Sequence, residues 1–308
     1  MGDIKLFNVT DGKVTEMEGK SVTIEKSLQT LIENHLETFL GVTFIATEYS
    51  TGKKHGGRID TLGIDENNCP VIIEYKRATN ENVINQGLFY LDWLLDHKAE
   101  FQLLVQKKLG VEISESIEWS ASRMICIAGD FTKYDAHAVL QINRNIELYR
   151  YKKFNDVLLL ELINSISIPA KPEKPGMPEK PEKENTKAKK YTTVAEFLEK
   201  SPQSLKDLYE SIKDYIMALG DEVQQKELLF YYAFKRIKTF ASIEIHPRNH
   251  TIVVYVRLDP GKVHFEEGFT RNVSNIGHLG VGNIEIRICS SEDFERAKGL
   301  IEMSYERS

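Results

Sequence analysis

The chain has 308 residues, 41% of them hydrophobic and 28% charged, with a formal net charge of −6: enough for two ordinary domains with sizeable cores, and no overall basicity to mark a polyanion binder, although a local basic channel is compatible with it. No apolar run approaches the length of a membrane span, and Met1-Gly2-Asp3-Ile4-Lys5 lacks the regions of a signal peptide, which excludes a transporter and points to a cytoplasmic protein. Cys69, Cys126 and Cys289, odd in number and without ligand-like spacing, argue for reduced thiols and against a zinc site.

Ile4 to Val9 and Lys13 to Glu18 predict a small hairpin around Asp11-Gly12. Leu28, Leu31, Ile32, Leu36 and Phe39 then recur at helical spacing, with Gly41 as a stop; this helix carries Glu25, Glu33 and Glu37. Val42 to Tyr49 is a β-rich run. It leads into the glycine-rich loop 50–57, where Lys53 and Lys54 are placed to meet phosphates, the bland alternative being solubility.

The most informative stretch is Gly56 to Tyr90. Arg58 to Ile64 alternates, Asp65-Glu66-Asn67-Asn68 is rich in turn formers, and Pro70 to Lys76 is an apolar run, so the two runs predict a hairpin. On strands, residues two apart share a face, which groups Glu74 with Lys76 and Arg58 with Asp60. Asp60 beside Glu74 would put two carboxylates together, and such a pair calls for a cation, most economically a hard divalent ion. Such an ion polarises a phosphodiester and acidifies water, while Lys76 orients the nucleophile or stabilises growing negative charge. Arg58 either touches the scissile strand or pairs with an acid. The alternative is a solvated strand face; against it, Val71-Ile72-Ile73 has the character of a strand buried on both sides, where an unpaired Glu and Lys are expensive. On the next helix, expected from about Asn80 to His97, Gln86 and Tyr90 lie four apart on one face.

In this order, R-x-D, an apolar strand ending in E-x-K, and Q-x-x-x-Y on the following helix resemble the PD-(D/E)xK nuclease superfamily. The wording GRID…IIEYKR is similar to its NucS-type endonuclease domain over about Glu25 to Leu162. The resemblance implies an α/β fold of restriction-endonuclease type, a mixed sheet flanked by helices. It implies Asp60 and Glu74 as ligands of Mg2+ or Mn2+, Lys76 as the catalytic lysine, and Gln86 with Tyr90 as an accessory pair lining the site. An acid of the first helix, Glu25 or else Glu33, would complete the metal site. Ile59 stands where the superfamily's name has a proline. The implied activity is endonucleolytic cleavage of DNA, in repair or defence.

Further along, Phe101 to Val105 predicts a strand, Lys107 to Ser116 a polar helix, Met124 to Ala128 a strand, Tyr134 to Ile142 a helix, and Ile146 to Tyr151 and Val157 to Leu162 two more strands. Trp93 and Trp119 are expected in the core. Residues 169–190 hold five of the nine prolines, seven lysines and four glutamates, a composition that buries no core, so the boundaries are 1–168, a linker at 169–190, and 191–308.

The last part predicts helices at Val194 to Glu199, Ser204 to Ala218 and Glu222 to Ile237, strands at Ala241 to His246, Thr251 to Arg257 and Ile284 to Ile288, and a closing helix at Ser291 to Tyr305, an α+β domain. Gly277 to Gly282 lacks the Gly-Lys-Ser/Thr of a P-loop and fits a glycine turn with a structural His278. Lys235, Arg236 and Lys238 near Phe240 form a basic cluster with an aromatic, or simply complement a helix dipole. This half resembles an uncharacterised domain that trails such nuclease domains, and is expected to bind nucleic acid or a protein partner; a homodimer is a further expectation. The competing reading of the whole is a non-catalytic nucleic-acid-binding or scaffold protein that retains a nuclease fold, and a third is an RNA nuclease.

Overall fold

A computed structural model describes residues 4–20, 25–52, 56–76, 83–166 and 192–308, so the stretch 169–190, expected as a linker, lies outside the described residues. The chain divides into two units, Met1–Ile168 and Pro169–Ser308.

The first unit opens with a two-stranded hairpin, β1 (Leu6–Thr10) and β2 (Lys13–Met17), and a short β3 (Gly19–Lys20). The expected first helix comes as two pieces, α1 (Glu25–Asn34) and α2 (Leu36–Leu40), the second closed by Gly41 at φ 63. Strands β4 (Val42–Ser50), β5 (Arg58–Asp65) and β6 (Pro70–Lys76) form an antiparallel meander. Helices α3 (Val83–Asp96), α4 (Lys98–Leu109) and α5 (Val111–Glu115) lead to β7 (Arg123–Ala128), parallel to β6. Helix α6 (Lys133–Gln141) leads to β8 (Asn145–Phe154), parallel to β7, and β9 (Val157–Ile166) returns antiparallel. The result is a mixed sheet in the order β3-β8-β7-β6-β5-β4, with β9 on β8, flanked by helices. The near-continuous apolar sequences of β6 and β7 suit central strands covered on both faces.

Two expectations fail here. Phe101 to Val105 is helical, because Phe101 and Val105, four apart, share a face and are both buried. The predicted helix from Lys107 to Ser116 is the end of α4 plus α5, broken at Gly110, whose φ of 97 suits glycine.

The β5–β6 turn is fixed from its own sequence. Asp65 Oδ1 accepts from the backbone N–H groups of Asn67 (2.9 Å) and Cys69 (3.0 Å), and Asn68 takes the left-handed φ of 58. Asp65 Oδ2 lies 3.2 Å from Arg123 Nε, and Arg123 Nη1 reaches both oxygens of Glu147 at 2.6 and 2.8 Å, all three side chains being buried. This turn sets Thr61 opposite Ile73 and Leu62 opposite Ile72, and one further step of the same register brings Asp60 opposite Glu74.

The second unit contains α7 (Val194–Glu199), α8 (Gln203–Met217), β10 (Gln224–Glu227), β11 (Tyr232–Lys235), β12 (Thr239–His246), β13 (Thr251–Val256), β14 (Thr270–Asn272), β15 (Ile284–Ile288) and α9 (Ser291–Tyr305). Its six strands form one antiparallel sheet, β10-β11-β12-β13-β15-β14, with Ile212, Phe240, Val254, Ile286 and Ile301 in its core. The helix expected from Glu222 to Ile237 is instead the hairpin β10–β11, since the aromatic and alternating Tyr232-Ala233-Phe234 run pairs with β12. The basic cluster is correspondingly dismantled: Lys235 and Phe240 are buried, and Arg236 pairs with Glu222 at 2.8 Å over the Tyr305 ring. His278 is structural, stacked on Tyr255 with its ring nitrogens 2.8 Å from the carbonyl oxygens of Ile276 and Gly282. Among the described residues, no helix is long and apolar enough to cross a membrane.

Candidate active site

Where β5 and β6 part, each strand's carboxylate takes up a backbone donor of the other. The N–H of Asp60 donates to Glu74 Oε1 at 3.1 Å, and the N–H of Tyr75 donates to Asp60 Oδ2 at 3.0 Å. The strands therefore exchange ladder bonds for side-chain bonds at this point, and the two carboxylates are brought together. Asp60 is half-buried, whereas Glu74 is fully buried and its Oε2 has no hydrogen-bond partner among the described residues. Burial first, and then the neighbouring Asp60 charge, push the Glu74 carboxyl up to about 9, with Lys76 pulling the other way. Lys76, two residues on, is half-buried.

This arrangement fits a divalent ion. A buried carboxyl oxygen without a donor beside a second carboxylate offers hard oxygens whose joint ionisation a cation would favour, and magnesium binds through one or two carboxylates, the remaining positions being filled by water and phosphate. Among the described residues no group of three His, Cys, Asp or Glu side chains comes together as a ligand set. Glu33 instead accepts from Thr61 Oγ1 at 2.6 Å and from Gln29 Nε2 at 3.0 Å. Glu25 begins α1, and its side chain lies outside the described residues, as do Lys53 and Lys54.

Helix α3 lies close over the sheet because Gly87 has no Cβ; one would stand 2.0 Å from Met124 Sδ. That approach brings Gln86 and Tyr90 to the start of β5. Gln86 Nε2 donates to Tyr90 Oη at 3.3 Å, and Oη also accepts the N–H of Arg58 at 3.1 Å. The Tyr90 ring fills the space a side chain at Gly57 would need. Tyr90 is buried, and its hydroxyl fastens the start of the strand that carries Asp60. Arg58 pairs with an acid, its Nε 2.7 Å from Glu48 Oε2, with most of its side chain exposed.

Sequence reasoning missed Gln29 and Glu48. Gln29 is buried and donates to the Asp60 carbonyl at 2.9 Å, tying α1 to the site; its four-residue spacing from Glu33 was the available signal. Nothing in the β-rich run around Glu48 announced its role.

The chain is 30% identical over 304 residues to an uncharacterized protein of Haemophilus influenzae, an alignment covering 98% of this chain and 99% of that protein. Residues 194–308 match a domain of unknown function, DUF5655. Among solved structures, a repair endonuclease from Pyrococcus abyssi aligns at 20% identity with a TM-score of 0.28, over 42% of this chain and 48% of that one. An EndoMS–dsDNA complex aligns at 17% identity with a TM-score of 0.25, over 42% and 47%. The chain thus spans about half the length of those two structures.

Proposed function

We propose, from the premise that the chain belongs to one family with the uncharacterized Haemophilus influenzae protein it matches from end to end, that it is a divalent-metal-dependent endonuclease acting on DNA through Asp60, Glu74 and Lys76. The observation that carries the reading is the exchange across the parting strands, Asp60 N–H to Glu74 Oε1 and Tyr75 N–H to Asp60 Oδ2, with Glu74 Oε2 buried and without a hydrogen-bond partner among the described residues. The R-x-D, E-x-K and Q-x-x-x-Y order agrees with it.

In this reading Asp60 and Glu74 hold the ion, Mg2+ or Mn2+, which supplies charge neutralisation and Lewis acidity toward a phosphodiester. Lys76 presents an ammonium that offsets charge growing on the phosphoryl oxygens. Glu33 and Gln29 fasten α1 to β5 at Asp60 and Thr61, so that Asp60 keeps its place as the substrate docks. Tyr90 and Gln86 hold the other side of the same segment at Arg58. The second unit is proposed as the binding or assembly module, for nucleic acid or a partner protein, with a homodimer as its simplest assembly.

The test is a panel of single-stranded, duplex, mismatched and branched DNA with RNA counterparts, incubated with magnesium or manganese. Wild-type cleavage of DNA, lost in Lys76→Ala and Asp60→Ala while both remain folded, is the expected result. Cleavage at the parental rate by either variant overturns the site. The competing reading, a non-catalytic nucleic-acid-binding protein that retains the fold, predicts binding without cleavage for the wild type.

A further inference from the structure

Glu48 lies within β4, an edge strand of the sheet, at a φ of 49. That left-handed conformation is unfavourable for any residue with a Cβ, and in the middle of a strand it is a local cost that the surrounding structure sustains. The flanking pairs are Thr47 with Thr61 and Tyr49 with Ile59, which sets Glu48 across from Asp60. Asp60 is in turn across from Glu74, so three acidic residues stand in one row over three adjacent strands.

Glu48 is bonded to two cations. Its Oε1 lies 2.6 Å from Lys26 Nζ on α1, and its Oε2 lies 2.7 Å from Arg58 Nε on β5. Lys26 Nζ also donates to Gln29 Oε1 at 3.1 Å, and Gln29 is the residue whose amide holds the Asp60 carbonyl. The hydrogen bond from Lys26, the largest favourable cause, holds the Glu48 carboxyl below its ordinary range. The side chains of Lys26 and Arg58 are 55% and 67% exposed. Exposed ion pairs of this kind contribute little to stability, so neither they nor the strained backbone is explained by folding. Arg58 approaches Glu48 through Nε at 2.7 Å, and two thirds of its side chain is exposed, so its guanidinium is open to a further acceptor. A guanidinium fork beside an ammonium, with net charge +1 over the trio, matches the oxygens of a phosphate.

We propose that Glu48 is a positioning residue for strand cleavage: its carboxylate fixes Lys26 and Arg58 as a two-cation seat beside Asp60, which takes one backbone phosphate of the bound strand and so sets the scissile bond over Asp60 and Glu74. The inference rests on the nuclease reading above. Substrate is a phosphodiester strand, and the seat reads its backbone without reading its bases.

The deciding variant is Glu48→Gly, since glycine suits the backbone conformation and removes the clamp entirely. Loss of the carboxylate raises the local charge from +1 to +2. A trio acting only through charge would then bind DNA more tightly and cut at least as fast. A seat whose geometry depends on Glu48 gives a split: Kd for a short duplex in EDTA unchanged or tighter, with kcat in magnesium lower by about tenfold or more, the usual scale for a misplaced reacting group. Arg58→Lys, which keeps the charge and loses the fork, shows the same fall, and the double variant falls no further. Glu48→Gln is the second variant, preserving volume, and melting temperatures show that both remain folded. A wild-type kcat in either folded variant overturns the proposal. A wild-type protein that cleaves no strand overturns the nuclease reading first and the proposal with it, a failure that is visible before any substitution is made.

Discussion

Gly87 of α3 approaches Met124 of β7 so closely that a Cβ on Gly87 would stand 2.0 Å from the methionine sulfur. Met124 is fully buried, so its thioether has little room to retreat. Gly87→Ala is expected to destabilise the first unit by about 1 to 3 kcal/mol, the ordinary cost of overpacking. Pairing it with Met124→Ala should return part of that loss, measured by urea unfolding; additive losses would show that the contact is not the cause.

Glu74 gives a pH prediction. Its folded carboxyl sits near 9, above the ordinary value of 4.5, so the folded state holds its proton more tightly than the unfolded one. The contribution of Glu74 to stability is therefore fully present below about pH 4.5 and is lost as pH rises through about 9. In EDTA, wild-type stability should fall relative to Glu74→Gln by more than about 1 kcal/mol between pH 5 and pH 9. Parallel pH profiles of the two proteins would remove the buried-carboxyl account.

Gln86 donates to Tyr90, and in the nuclease reading it is expected to act through that bond. Supporting contacts of this type typically cost about 10- to 100-fold when removed, so Gln86→Ala and Tyr90→Phe should each cut cleavage by that order and less completely than Lys76→Ala. Because the two share one hydrogen bond, the double variant should be little worse than the worse single one. Additive losses in kcat/KM would mean that Gln86 has a separate role.

Each unit has its own buried core, centred on Ile72, Leu94 and Met124 in the first and on Phe240, Val254 and Ile286 in the second. Fragments 1–168 and 191–308, produced separately, should each melt cooperatively. A fragment that stays unfolded by circular dichroism would move the boundary.

Much of the candidate site was legible because its residues lie close in sequence. Glu74 and Lys76 share a strand face by their spacing, and the turn formers at 65–68 announced the hairpin that brings Asp60 to them. The roles of Gln29 and Glu48 were not legible, since they arise from contacts with β5 across 31 and 10 residues or more of chain and, for Glu48, from a backbone conformation that glutamate seldom adopts. Phe101 to Val105 misled because five residues rich in apolar side chains suit a strand and a half-buried helix alike. The stretch from Glu222 misled for the opposite reason: its local helix preference is overruled by pairing with the neighbouring strand.

The Asp65 turn has a consequence for how this protein tolerates change. It works as a gauge block: its two side-chain bonds and the buried Arg123 set the zero from which the hairpin is measured, five residues from Asp60. Inserting or deleting one residue between Glu66 and Cys69 would shift that zero, turning Ile59 or Thr61 toward Glu74 in place of Asp60. A length change in a turn, usually among the milder lesions a fold can suffer, would here exchange a carboxylate for a methyl-bearing side chain without altering a single letter of the candidate site.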